Sequence, residues 1–324
     1  VLLSEGCNLN CSYCGMDKWS KTTISQDSVI NRFKELRLEY PNDRIRIDFF
    51  GGEPLLQMKM VKSIISKMKK VDDNYTLAMP TNGISLTPGI LDYLKKEKVS
   101  VSLSFDGLWQ NDRRPIRDSN LSSLNVLYAK RKLFSGLKCH SMISGSDYNL
   151  LENHLYITQN FGMNPELTLV RDRGTWTPES VKLLQIGINE IYEWYKNNLS
   201  EDMPNFILFW LRDILRYHYK GFTVEGCGVG RDLHALTETG ESVTCDRFAG
   251  DKEAVEKINE FYSMPECSTC RVKNYCHKGC MYEQIKSNGP IPELCDIYKY
   301  CYDKTKEILP LIPKDIIRRE LNDS

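Results

Sequence analysis

Three cysteines crowd the stretch GCNLNCSYCG, Gly6 to Gly15, at positions Cys7, Cys11 and Cys14. Their spacing, C-x3-C-x2-C, gathers three thiols on one short loop. A closed structural zinc site takes four protein ligands, so a set of three points elsewhere. An iron–sulfur cubane has four irons, and three thiolates leave one of them open to a ligand from outside the chain. The chain holds 12 cysteines in all, and eight of them fall between Cys227 and Cys301. Disulfides suit small secreted domains, whereas a chain of 324 residues can bury an ordinary core without them. Metal binding is therefore the better reading of both groups.

The elements that must position these thiols alternate along the first half of the chain. Val1–Ser4 is a short apolar run that ends at the cysteine motif. RIRIDFF (Arg44–Phe50), YTLAM (Tyr75–Met79), VSVSLSF (Val99–Phe105), Leu137–Ile143 and Leu167–Val170 read as further strands. Between them, apolar residues recur at helical spacing from Ser25, over Leu55–Met68, after Thr87-Pro88, over Leu121–Phe134 and over Asn149–Asn160. Six strands separated by helices predict a parallel α/β sheet, either open and doubly wound or a partial barrel. In both, chemistry belongs at the carboxyl ends of the strands, and Cys7, Gly51, Thr81 and Asp106 all lie just beyond strand ends. Residues 173–226 are helical without evident chemistry, and from Cys227 the composition shifts to cysteines and turns. The expected division is thus 1–172, 173–226 and 227–324. Lys+Arg and Asp+Glu balance at 43 each, which argues against nucleic acid or an anionic membrane as a partner. No run reaches transmembrane length, so a soluble, cytoplasmic protein is expected.

The cysteine triplet resembles the signature of the radical SAM superfamily, and two further segments match that family in order. GGEP (Gly51–Pro54) follows the second strand, and SFDG (Ser104–Gly107) follows the fourth. The resemblance implies a partial (β/α)6 TIM barrel and an open iron that binds the amino and carboxylate groups of S-adenosylmethionine (SAM). Reductive cleavage of the sulfonium then yields a 5′-deoxyadenosyl radical. It also implies that Tyr13 packs near the cluster and adenine, that Gly51 and Gly52 allow close backbone approach, that Glu53 faces the SAM amino group, and that Ser104 and Asp106 contact ribose. Taken alone, GGEP reads equally as a turn, and SFDG as a strand exit. TNG (Thr81–Gly83) reads as a turn, and Asp112, Arg113, Arg114 and Arg117 as contacts for substrate carboxylates or as a solvated loop.

The C-terminal cysteines resemble the SPASM extension of radical SAM enzymes, a module with two auxiliary 4Fe–4S clusters. A hairpin is expected from Leu233–Leu236 and Ser242–Cys245, with Gly240 in its turn. By the resemblance, Cys267, Cys270, Cys276 and Cys295 hold the outer cluster, while Cys227, Cys245 and Cys280 hold the one nearer the active site. Sulfatase-maturing members have a further cysteine shortly before the position of Cys227, and this chain has none between Cys139 and Cys227. The nearer cluster then has an open iron or takes a ligand from elsewhere, with Cys301 as the spare candidate; a buried core cysteine is the plainer reading of Cys301, as of Cys139. Asp246 stands where those relatives carry a catalytic base, and reads equally as a turn aspartate. His234 and His277 are candidate iron ligands, with an ordinary surface position as the commoner outcome.

These expectations add up to a radical SAM/SPASM oxidoreductase with three 4Fe–4S clusters. Its substrate would be a precursor peptide and its electron source a reductant such as flavodoxin or ferredoxin. The expected modification is an intramolecular crosslink, carbon–carbon or through a heteroatom, in a ribosomally made peptide. Formylglycine formation and epimerisation are the alternatives within the class. A cysteine-rich metal-binding structural protein is the alternative outside it.

Overall fold

The computed structural model describes residues 1–170, 175–198, 209–224, 226–259, 264–276 and 279–322. His277 and the expected boundary at 172/173 lie outside those residues. Two compact units are formed. The first comprises 1–140, 159–163 and 234–249, and the second 141–158, 164–233 and 250–324.

The alternation read in the sequence folds as expected into an α/β half-barrel of five parallel strands. In chain order these are β1 (Ile45–Asp48), β2 (Tyr75–Thr81), β3 (Val99–Ser104), β4 (Lys138–Ile143) and β5 (Pro165–Leu169), and they are neighbours in that same order. Helices α1 (Gln26–Glu39), α2 (Met58–Met68) and α3 (Pro88–Lys96) connect the early strands. Two of them start where the sequence supplies a cap: Ser25 Oγ accepts from the Asp27 N–H at 3.2 Å and Thr87 Oγ1 from the Ile90 N–H at 3.3 Å, which satisfies donors that have no partner in the first turn. Helices α4 (Gln110–Arg113), α5 (Ser123–Ala129) and α6 (Leu150–Phe161) follow.

Register decides which side chains reach the site. Thr81 stands opposite Leu103, and Leu103 opposite Cys139. Leu77, Met79, Val101, Leu103 and Cys139 are buried together with Ile64, Met68 and Leu94 of the helices. Successive residues of a strand face opposite ways, so Pro80 and Ser104 point to the other face and line the site, while Thr81 reaches it from the last position of β2. Cys139, 1 % exposed, is a core residue whose thiol reaches the carbonyl of Phe105 at 3.7 Å.

The sixth expected strand, Val1–Ser4, is reduced to a single parallel bridge between Leu2 and Phe50. Bonds from Leu3 N–H to Phe50 O and from Phe50 N–H to Val1 O, both 2.9 Å, fix it. The predicted hairpin forms as β6 (Ala235–Leu236) and β7 (Ser242–Val243), antiparallel, with Gly240 at φ +84° in its turn. It belongs to the first unit, where the Leu2 N–H donates to Leu236 O at 2.8 Å. The hairpin thereby extends the edge that leads into the cysteine loop.

In the second unit, α7 (Pro178–Asn198) packs on the helix Pro292–Ile308. Tyr192 Oη meets Thr305 Oγ1 at 2.6 Å and donates to Cys301 O at 3.2 Å. Cys301 is 1 % exposed within this contact, the place of a core cysteine. Among the described residues no helix is long and apolar enough to cross a membrane.

Candidate active site

The three cysteines, GGEP and Ser104 line one cavity of about 120 Å³ at the carboxyl ends of β1 to β3. The loop that carries the cysteines is held from both sides. Its own stem closes through the Cys7 N–H to Lys18 O bond, 3.1 Å. Across from it, the segment Arg113–Arg117 runs antiparallel: Leu9 bridges Ile116, Asn10 N–H donates to Pro115 O and Ser12 N–H to Arg113 O, each at 2.9 Å. Leu9, Ile84 and Ile116 pack around the thiols. The polar run at 112–117 is therefore no solvated loop; its backbone is half of the cysteine cradle.

Gly51 and Gly52 have a geometric reason. A Cβ on Gly51, which sits at φ +146°, would stand 2.2 Å from Ser4 O. One on Gly52 would stand 2.0 Å from Glu5 O and 2.4 Å from Gly6 O. The close approach that these glycines permit is first of all to the backbone entering the cysteine loop. The Gly52 N–H bonds Ser4 O at 2.9 Å and the Glu53 N–H bonds Gly6 O at 3.1 Å. Those bonds deliver Glu53 to the cavity wall.

Glu53 is 2 % exposed. Its Oε1 accepts from Thr81 Oγ1 at 2.7 Å and from the Leu55 N–H at 3.0 Å, and its Oε2 from the Asn82 N–H at 2.8 Å. Among the described residues no cation faces it. Burial pushes its carboxyl above the ordinary value despite the three donors. A buried carboxylate is costly unless a positive group meets it, so this wall of the cavity is built for a cation.

The opposite charge is close by. Arg114 lines the cavity, and Asp106 fixes it, accepting from Nε at 2.8 Å and from Nη2 at 3.0 Å. Tyr13 donates to the same carboxylate at 2.6 Å, and the guanidinium lies 5.2 Å from the Tyr13 ring centre. Asp106 itself is fully buried behind Arg114 and Tyr13 and is not among the cavity-lining residues. Ser104 is among them, as are Thr81 and Asn82. Asn82 Nδ2 approaches Cys7 Sγ at 3.7 Å and the Leu9 N–H reaches the same sulfur at 3.4 Å; donors to a ligating sulfur tune a cluster's potential. TNG, a plain turn by its composition, thus supplies two walls of the site.

Burial raises the pKa of Cys7 and pushes that of Cys11 up to about 11, partly offset by Arg114. Thiols this reluctant to ionise need a positive centre among them to bind as thiolates. Three thiols, an unmatched carboxylate and a fixed guanidinium around one cavity fit an iron–sulfur cluster with a zwitterionic ligand at its open corner.

In the second unit, Cys267, Cys270, Cys276 and Cys295 line a second cavity, of about 290 Å³. Cys267 lies on the short helix Pro265–Ser268 and Cys295 in the first turn of Pro292–Ile308. Val272, Ile291, Leu294 and Tyr298 make its other walls largely apolar. Among the described residues no three His, Cys, Asp or Glu side chains converge on one point as a single metal ion requires; these thiols ring a volume. Cys245 and Asp246 belong to the first unit, and Cys227 and Cys280 to the second. Asp246 opens the turn after β7, and its Oδ1 accepts from the Cys245 thiol at 3.3 Å; it is not a wall of the three-cysteine cavity. His234 is exposed beside Arg32.

An α/β half-barrel with three thiols at the mouth of its strands defines a class. Residues 1–145 match the family described as the Radical SAM superfamily, and this part of the chain is a radical SAM domain. The family implies SAM and a 4Fe–4S cluster as cofactors. A relative from Paramaledivibacter caminithermalis, the radical SAM cyclopropyl synthase TigE, is 22% identical over 367 residues, covering 100% of this chain and 76% of its own length. GTP 3',8-cyclase of Petrotoga mobilis is 29% identical over 167 residues, which is 49% of this chain and 50% of the cyclase. Among solved structures, native anSMEcpe with bound AdoMet and Cp18Cys peptide superposes with a TM-score of 0.73 at 16% identity, covering 99% of this chain and 98% of that one. The comparisons thus give a radical SAM domain over residues 1–145 and the anSMEcpe fold over nearly the whole chain.

Proposed function

We propose that this enzyme abstracts a hydrogen atom from a precursor peptide and closes an intramolecular crosslink in it, carbon–carbon or through a heteroatom. The observation that carries the SAM assignment is Glu53, a buried carboxylate that no cation among the described residues faces, in one cavity with three thiols. The methionine end of SAM answers both charged walls, its ammonium against Glu53 and its carboxylate against Arg114. Cys7, Cys11 and Cys14 hold the cluster, Tyr13 and Gly51-Gly52 shape the wall beside it, and Ser104 is placed for ribose. Asp106 acts one step back, by keeping Arg114 and Tyr13 in position. When bound, SAM on the reduced cluster supplies a radical able to take hydrogen from carbon.

Forming a new bond removes two hydrogen atoms from the peptide: one goes to that radical, the other leaves as an electron and a proton. Cys267, Cys270, Cys276 and Cys295 line a volume that suits an auxiliary 4Fe–4S cluster as the electron acceptor; a second auxiliary cluster on Cys227, Cys245 and Cys280 is what the SPASM resemblance implies. Asp246 is the candidate for the proton. Two comparisons support a peptide and a ring closure. TigE, a cyclopropyl synthase by name, aligns with the whole of this chain, and anSMEcpe shares the fold with a peptide bound. A flavodoxin or ferredoxin is the expected electron donor.

Anaerobic reconstitution tests the reading. About eleven to twelve irons per chain are expected, together with dithionite-dependent formation of 5′-deoxyadenosine and a candidate peptide lighter by two hydrogen atoms with a new internal bond. An aldehyde at a cysteine or serine instead would identify formylglycine formation, and an unchanged mass with inverted chirality would identify epimerisation. Zinc without iron would return the chain to a structural metal protein. With Asp246→Asn, SAM cleavage should persist while the peptide product is lost; undiminished product would rule out the base.

A further inference from the structure

The hairpin turn between β6 and β7 does more than reverse the chain. Glu238, at its tip, reaches across 233 and 218 positions of sequence to the two stems of the cysteine loop. Its Oε2 accepts from the backbone N–H of Glu5 at 2.7 Å, and its Oε1 from Ser20 Oγ at 3.0 Å. Residues 5 and 20 bracket Cys7, Cys11 and Cys14. The two stems also lie tightly together, since a Cβ on Gly6 would stand 2.5 Å from Ser20 O. Glu5 in turn accepts from the Asp17 N–H at 2.8 Å, and the Cys7 N–H bonds Lys18 O at 3.1 Å. A carboxylate with one oxygen on each stem fixes their separation, as two charge-assisted bonds give both strength and geometry.

We propose that Glu238 is a positioning residue for the radical SAM cluster: it staples the base of the cysteine loop and so sets the spacing of the three thiols. All groups involved lie in the first unit. The inference rests on the assignment of the cluster to Cys7, Cys11 and Cys14, and adds a residue that neither the triplet nor the other motifs contain. Glutamine replaces it only in part: its oxygen can accept from the Glu5 N–H and its NH2 can donate to the Ser20 hydroxyl, so the span is kept but the charge that strengthens both bonds is lost. Aspartate is too short to span both stems. Glu241, exposed on the same hairpin, provides the control.

The experiment compares the full reconstituted chain with its Glu238→Ala, Glu238→Gln and Glu241→Gln variants. Three quantities are read: the SAM-induced change in the EPR spectrum of the reduced cluster, iron release from that SAM-responsive fraction to a chelator, and amide hydrogen exchange over residues 5–20 in the metal-free chain. Loss of Glu238 should speed iron release roughly tenfold, the loss of a charged hydrogen bond. It should also broaden or shift the SAM-bound spectrum and raise exchange in the loop, with Glu238→Gln intermediate and Glu241→Gln unchanged. Exchange over β1 to β3 and the melting midpoint should stay as in the parent. Native spectra and native exchange in Glu238→Ala would overturn the proposal, as would losses that merely track a lower melting midpoint. A parent chain with no SAM-responsive cluster would overturn the cluster assignment itself, and the staple with it.

Discussion

The two cysteine cavities use the same ligand atom for different ends. In the first unit three thiols share their cavity with a buried carboxylate and a guanidinium fixed by an ion pair. In the second, four thiols ring a larger space whose other walls are mostly apolar, and aromatic side chains pack close behind: Tyr275 stacks on Tyr302 at 4.5 Å, and both Cys270 and Cys276 pack against that cluster. Four thiolates complete a cubane and leave its irons to carry electrons. Three leave a corner, and the charges around that corner say what is to bind there. The lesson lies in where the charges sit: the three-thiol cavity has a carboxylate and a guanidinium buried in its walls, whereas the charged residues lining the four-thiol cavity, Glu266, Lys273, Asp296 and Lys299, are exposed or half-buried.

Breaking one thiol in each cavity is the sharpest test of that difference. Cys11→Ala should reduce 5′-deoxyadenosine formation to background, because the open-corner cluster is lost. Cys276→Ala should remove about four irons and abolish peptide product while SAM cleavage continues. Equal loss of SAM cleavage in both variants would erase the distinction. Gly52→Ala comes next. Its new Cβ would meet two backbone oxygens, at 2.0 Å and 2.4 Å, neither of which can swing aside. A destabilisation on the order of 3 kcal/mol is expected, read by denaturant unfolding, with iron lost from the first cavity only. Glu53→Gln should weaken SAM binding roughly 30-fold, the cost of a charged hydrogen bond, with iron content unchanged.

How far the sequence could be read follows from which signals are local. β3 was legible because VSVSLSF alternates cleanly, and α3 because Thr87-Pro88 is a cap followed by a first-turn proline. The cysteine triplet and GGEP were legible because each is a contiguous motif. Arg114 was not: a polar run looks alike whether it is solvated or, as here, pinned antiparallel to the cysteine loop and paired with Asp106. Thr81 and Asn82 looked like a turn because their partner, Glu53, lies 28 and 29 positions away. Glu238 lies further still from the stems it holds. Periodicity tells which face of an element is buried, and says nothing of which distant polar groups will meet there.

A pH series, whose slopes are modest near neutrality, sets the two units most directly against each other. Among the described residues, each buries a titratable group that no countercharge meets, and the two groups have opposite sign. Glu53 is pushed up by burial in the first unit, so just above the ordinary carboxyl range the folded state holds a proton that the unfolded state has lost. Stability of that unit should therefore fall as pH rises through that window. His154, 2 % exposed on α6 in the second unit, is pushed down to about 4 by burial, and its Nδ1 has no hydrogen-bond partner among the described residues. Between the ordinary histidine value near 6.5 and about 4, the unfolded state holds the extra proton. Stability of that unit should fall as pH drops through this range, by on the order of 3 kcal/mol at the lower end. Hydrogen exchange read separately over β1–β2 and over the second unit's part of α6, from pH 7.5 downward, should show the two slopes with opposite sign. Glu53→Gln should flatten only the first and His154→Gln only the second. Saturating SAM gives the decisive arm, since an ammonium beside Glu53 holds its carboxyl ionised. The first slope should then flatten or reverse while the second is untouched; a first slope indifferent to SAM would mean that the cation facing Glu53 is something else.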